Sequence, residues 1–210
     1  MARQKQRRFA ALHTMDNVVD GRRCQPDWFE QAFGSQQTVV LELGCGRGEH
    51  TLAQARRRPD RGCLGVDRNG ARLWKGAVAA LDDGLANAFF LRSPVEHLDN
   101  HVPPGRVAEI WIPFPDPLPK TRQARRRLVS PVFLERYRHL LRRGGAVHLK
   151  TDDADLVDFA ERAVRTVGGR LLAGSDNLAD DEDETLVQTA YEKRYRGKGR
   201  PIYVRRFCLV

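Results

Sequence analysis

Short apolar runs alternate along the chain with longer stretches whose apolar residues recur at helical spacing. The short runs predict β-strands over residues 39–43, 63–66, 88–91, 107–112, 146–150 and 201–209. The helical spacing predicts helices over residues 49–57, 71–81, 131–141 and 155–167. Strands separated by helices are typical of an α/β fold with a mostly parallel sheet and helices on both faces. The last run alternates between apolar and polar residues, which predicts an antiparallel C-terminal strand.

The first 35 residues differ from the rest of the chain. Residues 1–35 are polar and basic and predict an N-terminal appendage, in which Trp28, Phe29 and Phe33 indicate a short docked helix. Residues 36–210 show no internal repeat and no low-complexity tract. We therefore expect them to form a single domain, which agrees with the usual size of a domain.

The composition excludes several classes of protein. A hydrophobic fraction of 41% with 30% charged residues indicates a folded chain rather than a disordered one. No apolar run approaches the ~18 residues that span a bilayer, and no apolar segment of a secretory signal follows the basic N-terminus. We therefore expect a cytoplasmic protein without membrane contact. Its four cysteines lack ligand spacing, which predicts reduced thiols and no metal site.

The charge distribution points to a phosphate-rich partner. The chain has 36 Lys and Arg against 27 Asp and Glu, a formal net charge of +9. Residues 120–143 concentrate lysine and arginine, with Glu135 as the only acid, and a second basic group covers residues 193–206. Such clusters predict binding of nucleic acid.

A glycine turn follows the first predicted strand of the domain. Gly44, Gly46 and Gly48 form a GxGxG spacing between that strand and a helix, and Asp67 closes the next strand. Glycines allow the backbone to approach a ligand closely, and a carboxylate at this place can accept hydrogen bonds from ribose hydroxyls. The spacing differs from the GxGxxG of dinucleotide-binding turns. It therefore predicts a ligand of the adenosine type.

A proline-rich loop follows the fourth predicted strand. Residues 113–120 read PFPDPLPK, and the prolines fix φ at alternate positions around Asp116. A stiff loop at the carboxyl edge of the sheet suits a reacting group, although an aspartate in a turn can also serve only the local backbone.

These motifs resemble those of a known family. The glycine turn resembles motif I of the class I methyltransferases, which bind S-adenosylmethionine. FPDPLPK at 114–120, with Arg122 and RRLV at 126–129, resembles the FPDPWPKxRHxKRRLV signature of the tRNA (guanine-N7-)-methyltransferases. LKTD at 149–152 and TAYE at 189–192 are also similar to that family. The resemblance implies a Rossmann-like class I methyltransferase fold with a seven-stranded sheet, and methylation of N7 of a guanosine in the variable loop of tRNA.

The resemblance also implies roles for the matching residues. Asp116 is the expected catalytic acid. The expected cofactor-binding residues are Glu42, Gly44, Gly46, Asp67 and Ser93. The expected substrate-binding residues, among them arginines that would hold phosphates, are Lys120, Arg122, Arg126, Arg127, Asp152, Thr189, Tyr191 and Glu192.

The chain departs from the family pattern at several positions. The family usually has glutamate at Asp67, Asp-Ala at Ser93-Pro94, tryptophan at Leu118 and histidine at Gln123, and its RxGRxT motif near the N-terminus is not found here. Ser93 is the most consequential, because the usual acid contacts the adenine amine, and a serine accepts that hydrogen bond with weaker charge assistance.

Other hypotheses remain open from the residues alone. They are a nicotinamide-dependent oxidoreductase, which the GxGxG spacing disfavours, a noncatalytic RNA-binding relative, and a methyltransferase of the same fold with another RNA or a small molecule as acceptor. The sequence is compatible with a monomer or a homodimer.

Overall fold

The chain forms two compact units, Met1–Pro103 and Pro104–Val210. The computed structural model describes residues 10–34, 38–178 and 187–209. The α-helices of this part are α1 Trp28–Phe33, α2 Glu49–Arg57, α3 Gly70–Asp82, α4 Pro131–Leu140, α5 Ala154–Thr166 and α6 Ala190–Arg196. Short 3-10 helices cover Leu12–Thr14, Val95–Asn100 and Thr121–Arg126.

The first unit contains four parallel strands. They are β1 Val18–Asp20, β2 Val39–Leu43, β3 Gly62–Asp67 and β4 Ala88–Arg92, in the order β1-β4-β3-β2. Strand β2 is buried along its whole length, which is why it is almost continuously apolar in the sequence. Leu43 lies opposite Val66, so the turn after β2 and Asp67 at the end of β3 lie at the same edge.

The N-terminal segment packs onto this sheet. The carboxylate of Asp20 in β1 forms an ion pair with Arg92 of β4 at 2.7 Å. The buried side-chain amide of Asn17 donates to the carbonyl of Ala77 in α3 at 2.9 Å. In α1, the ring of Phe33 lies 5.0 Å from that of Phe89. The predicted short helix is therefore present, and its aromatic side chains are buried.

The second unit contains four strands of mixed direction. They are β5 Val107–Pro113, β6 Leu141–Thr151, β7 Arg170–Ser175 and β8 Tyr203–Cys208, in the order β5-β6-β8-β7. Strands β5 and β6 are parallel, and β8 is antiparallel to both of its neighbours. Pro113 lies opposite Lys150, so the carboxyl ends of β5 and β6 meet at one edge.

The structure confirms the α/β fold class, the mostly parallel strands and the antiparallel C-terminal strand. The number of strands was wrong, because the described residues contain eight rather than seven. The pattern did not locate β1, which is three residues long, or β7, which has no buried face. The boundary near residue 35 stays a prediction, although β1 from that segment supplies one strand of the first unit's sheet.

Candidate functional site

The turn after β2 is formed by bare backbone. Gly44 and Gly46 have φ of +70° and +57°, in the left-handed region that favours glycine. The backbone N–H groups of Gly44 and Cys45 donate to the carbonyl of Val66 at 2.8 and 3.0 Å, which fastens the turn to the end of β3. A Cβ on Gly44 would meet no heavy atom within 4 Å. Open space therefore lies against the turn, where a ligand can approach the backbone.

Asp67 is fixed beside this turn by two backbone groups. Its Oδ2 accepts a hydrogen bond from the N–H of Gly46 at 2.9 Å, and its Oδ1 accepts one from the N–H of Asn69 at 2.7 Å. An ionised carboxylate has about four acceptor positions, so each oxygen can accept a further hydrogen bond. The side chain is thus oriented by the protein and retains acceptor capacity for ligand hydroxyls.

Glu42 is buried and contacts the start of helix α2. Its Oε2 accepts a hydrogen bond from the backbone N–H of Thr51 at 2.8 Å and another from the hydroxyl of the same residue. Burial raises the pKa of Glu42 to about 8, although the two bonds from Thr51 counteract this effect. The carboxyl group is therefore mostly protonated at neutral pH, and it connects β2 to α2.

Two other side chains of the first unit lie near the ends of these strands. Ser93 follows β4 and is buried, and its hydroxyl donates to the carbonyl of Pro94 at 3.1 Å. Cys45 lies inside the glycine turn, where burial raises the pKa of its thiol well above the ordinary value. A thiol that stays protonated is a poor nucleophile, so Cys45 packs rather than reacts.

The proline-rich loop of the second unit has an unusual backbone. Phe114 and Leu118 have φ of +50° and +47°, which residues with a Cβ rarely adopt. The backbone N–H of Phe114 donates to the carbonyl of Lys150 at 2.7 Å, which holds the loop against the end of β6. Asp116 lies between the two unusual positions and is exposed. Such conformations persist only where their surroundings impose them, and they cluster at functional sites.

The arginines after the loop divide into two groups. Arg127 donates from Nε and Nη2 to the carbonyl of Leu118 at 3.3 and 3.1 Å, and its guanidinium lies 4.3 Å from the ring centroid of Phe159. Arg127 therefore supports the loop. Arg122 and Arg126, like Lys120, are exposed and can meet a ligand in solution.

A buried ion pair joins the end of β6 to the C-terminal helix. The ammonium group of Lys150 lies 2.5 Å from Oε2 of Glu192, and Arg196 donates to the other carboxylate oxygen at 2.9 Å. Both Lys150 and Glu192 are 1% exposed. Thr189 caps α6, because its hydroxyl accepts a hydrogen bond from the N–H of Glu192 at 3.3 Å. Removing one partner of such a pair leaves a buried charge uncompensated.

The carboxylate of Glu192 therefore contacts two side chains of the protein itself, Lys150 and Arg196. Asp152 also contacts a side chain of the protein, but its partner is more exposed to solvent. Arg200 donates to Oδ2 of Asp152 at 2.8 Å from a largely exposed side chain. The structure thus brings Asp152, Thr189, Tyr191 and Glu192 together around the end of β6. Sequence reasoning assigned no role to Lys150, because a lysine near the end of a strand looks like an ordinary surface charge in the sequence.

Metal ligation and membrane insertion have no candidate in the described part of the chain. Within residues 10–34, 38–178 and 187–209, no three His, Cys, Asp or Glu side chains are grouped so as to hold a metal ion. The helices of the same residues include none that is long and apolar enough to cross a bilayer.

Comparison with known proteins agrees with the fold and with the motifs. The model of a family described as "Putative methyltransferase" matches residues 36–205. The crystal structure of the 16S rRNA methyltransferase KamB is similar with a TM-score of 0.69, over 90% of this chain and 96% of that chain. At 20% identity this likeness concerns the fold alone. The fold and the family model together define the class as a Rossmann-like class I methyltransferase.

Two curated relatives identify the family within that class. The tRNA (guanine-N(7)-)-methyltransferase of Christiangramia forsetii is 35% identical over 98% of this chain and 98% of its own length. The protein of the same name from Porphyromonas gingivalis is 39% identical over 83% of this chain and 72% of its own length. The chain belongs to the tRNA (guanine-N(7)-)-methyltransferase family, which confirms the resemblance read from residues 114–129.

Proposed function

We propose that the protein transfers a methyl group from S-adenosylmethionine to N7 of a guanosine in the variable loop of tRNA, giving 7-methylguanosine. The observation that carries the proposal is the match, over 98% of both chains, to a tRNA (guanine-N(7)-)-methyltransferase. The exposed Asp116 in a strained loop and the exposed arginines after it support the same function. Because its substrate is tRNA, we expect the enzyme to act in the cytoplasm.

The residues of the first unit fit S-adenosylmethionine. The left-handed turn at Gly44 and Gly46 leaves open space against the backbone, and Asp67 keeps acceptor capacity for the ribose hydroxyls. Ser93 would accept a hydrogen bond from the adenine amine. The bonds of Glu42 to Thr51 indicate that it acts on the cofactor site by holding the turn and α2 in place. When bound, S-adenosylmethionine supplies the methyl group on a positively charged sulfur.

Asp116 and its neighbours act on the guanine. N7 of guanine carries an in-plane lone pair and no proton, so the reaction needs no strong base. The protein contributes by holding the base in the productive orientation. The methylated guanine is a cation, and the carboxylate of Asp116 stabilises this charge as it develops. Lys120 and Asp152 would contact the substrate nucleoside or its neighbours.

The RNA itself is held through phosphates and shape. A guanine in the tRNA core is stacked, so the enzyme binds it after it has been flipped out or after the variable region has loosened. Arg122 and Arg126 are exposed and would contact the phosphate backbone, while Arg127 supports the loop that carries Asp116. Such contacts give an affinity that decreases as the salt concentration rises.

Nucleoside analysis tests this function directly. The purified protein is incubated with radiolabelled S-adenosylmethionine and unmodified bulk tRNA, and the tRNA is then digested to nucleosides. Label in 7-methylguanosine is the expected result. Binding of S-adenosylmethionine without label in tRNA would indicate another acceptor, and binding of tRNA alone would favour a noncatalytic relative.

A further inference from the structure

Five exposed arginines in the described part of the first unit follow the carboxyl ends of its strands. They are Arg22 and Arg23 after β1, Arg47 in the turn after β2, Arg68 after β3 and Arg72 in the first turn of α3. Because the four strands are parallel, these positions share the edge at which the glycine turn and Asp67 lie. All five lie outside the basic groups of residues 120–143 and 193–206.

Two of these arginines adjoin the residues expected to bind the cofactor. The backbone N–H of Gly46 donates to Oδ2 of Asp67 at 2.9 Å. Arg47 is the next residue after Gly46, and Arg68 is the next residue after Asp67. The two exposed arginines therefore come from separate segments that this hydrogen bond brings together.

A third arginine lies beside them on helix α3. A Cβ on Gly76 would lie 2.6 Å from the carbonyl oxygen of Arg47, so the glycine turn packs directly against α3. Arg72 precedes Gly76 by four residues and so lies one turn earlier on the same side of the helix. We call Arg47, Arg68 and Arg72 the arginine rim.

The side chains of the arginine rim are available to a ligand. Other arginines of the first unit are neutralised within the chain, since Arg56 pairs with Asp83 and Arg92 pairs with Asp20. Within residues 10–34, 38–178 and 187–209, no side chain forms an ion pair with a guanidinium group of the arginine rim. Residues 68–75 contain three cations and no acid. The positive charge of this surface is therefore not compensated locally.

The charge and its position favour RNA as the partner. A guanidinium group binds phosphate well, because its planar fork donates paired hydrogen bonds to the phosphate oxygens. RNA presents phosphates along its whole backbone, and they supply much of its affinity for proteins. An acidic protein offers carboxylates instead, but the reaction brings only the RNA to this edge, because the methyl donor and its acceptor have to meet there.

We propose that the arginine rim binds phosphates of the tRNA, and that the bound RNA covers the cofactor site. The inference rests on the proposed function and adds an RNA-binding surface on the first unit. Because Arg47 and Arg68 adjoin the hydrogen bond that orients Asp67, a backbone held by both passes over the residue expected to bind the ribose. The product S-adenosylhomocysteine therefore leaves slowly while tRNA is bound.

Two variants of equal net charge test the proposal. The rim variant combines Arg47→Gln, Arg68→Gln and Arg72→Gln, which keeps polar side chains and removes three charges. The control variant combines Arg57→Gln, Arg162→Gln and Arg170→Gln, which removes three exposed arginines from the second halves of α2 and α5 and from the start of β7. Urea unfolding midpoints equal to that of wild-type report that both variants are folded.

The first measurement is the salt dependence of tRNA binding. For the rim variant, the slope of log K against log salt is expected to become less steep than that of wild-type by about 2, because three phosphate contacts are lost. The control variant is expected to keep the wild-type slope. Equal slopes for the two variants would overturn the phosphate contacts of the arginine rim.

The second measurement is the release of the product. Radiolabelled S-adenosylhomocysteine is bound to each protein and chased with unlabelled compound, with and without saturating tRNA. We expect tRNA to slow its dissociation from wild-type and from the control variant about fivefold or more, and from the rim variant less than about twofold. No slowing in wild-type, or equal slowing in wild-type and the rim variant, would overturn the covering of the cofactor site. If the wild-type enzyme forms no 7-methylguanosine, the proposed function itself fails, a result distinct from both binding measurements.

Discussion

Asp116 lies between two residues with left-handed backbone, and its side chain is exposed to solvent. Because Asn has nearly the same shape but no charge, Asp116→Asn isolates the charge. We expect the rate of methyl transfer to fall by about a hundredfold or more, the effect of removing one oriented electrostatic group. The affinities for tRNA and S-adenosylmethionine should change little. Single-turnover rates and equilibrium binding check this, with Asp158→Asn on α5 as the matched control, and a retained rate would remove Asp116 from the mechanism.

The raised pKa of Glu42 predicts how the stability of the protein depends on pH. Its pKa is about 8 in the folded protein and 4.5 ordinarily, so between these values the folded chain holds a proton that the unfolded chain has lost. The free energy of unfolding therefore decreases as the pH rises through this window. Glu42→Gln accepts the same bonds from Thr51 without ionising.

Measurement of urea unfolding of both proteins at about pH 5 and about pH 9 checks the sign. Relative to wild-type, Glu42→Gln should gain stability at the higher pH, on the order of a few kcal/mol, since one pKa unit corresponds to ~1.4 kcal/mol. Identical pH dependence of the two proteins would contradict the raised pKa of Glu42.

At the scale of elements, the loop after β5 depends on a side chain outside it. Arg127 donates two hydrogen bonds to Leu118, and its guanidinium stacks on Phe159 of α5. Arg127→Lys keeps the charge but loses the planar fork and the stack. We expect a lower kcat, because the loss of the hydrogen bonds to Leu118 destabilises the conformation of the loop by about 1–3 kcal/mol. The affinity for tRNA should change little. Arg126→Ala should instead lower the affinity for tRNA and leave kcat almost unchanged. Steady-state kinetics of both variants check this, and equal effects of the two substitutions on kcat and KM would contradict the separate roles of Arg126 and Arg127.

Only part of the candidate site could be predicted from the sequence. The glycine turn, Asp67 and the loop around Asp116 could be predicted because each is a local pattern next to an apolar strand. The ion pair of Lys150 with Glu192 could not be predicted, because the two residues are 42 positions apart and each looks like an ordinary surface charge in the sequence. The left-handed conformation at Phe114 and Leu118 could not be predicted either, because neither residue type indicates it and both residues are hydrogen-bonded to distant parts of the chain, Phe114 to Lys150 and Leu118 to Arg127.

At the scale of the whole molecule, the net charge of +9 predicts how binding responds to salt. Each phosphate contact lowers the slope of log K against log salt by about 0.7 to 0.9. Arg122→Ala combined with Arg126→Ala removes two exposed cations, so the slope should become less steep by about 1.5. Filter binding of tRNA between about 50 and about 200 mM salt measures this, and an unchanged slope would remove both arginines from the interface.

The left-handed backbone at Leu118 also restricts how this position can change during evolution. Valine is one base change away from every leucine codon and is similar in polarity, yet its branched Cβ is poorly tolerated at a φ of +47°. Methionine and phenylalanine are also within one base change of some leucine codons, and both are unbranched at Cβ, as is the tryptophan usual in this family. Natural variation at this position is therefore expected to pass through unbranched side chains of very different size, while the substitution that looks most conservative is the one that selection removes.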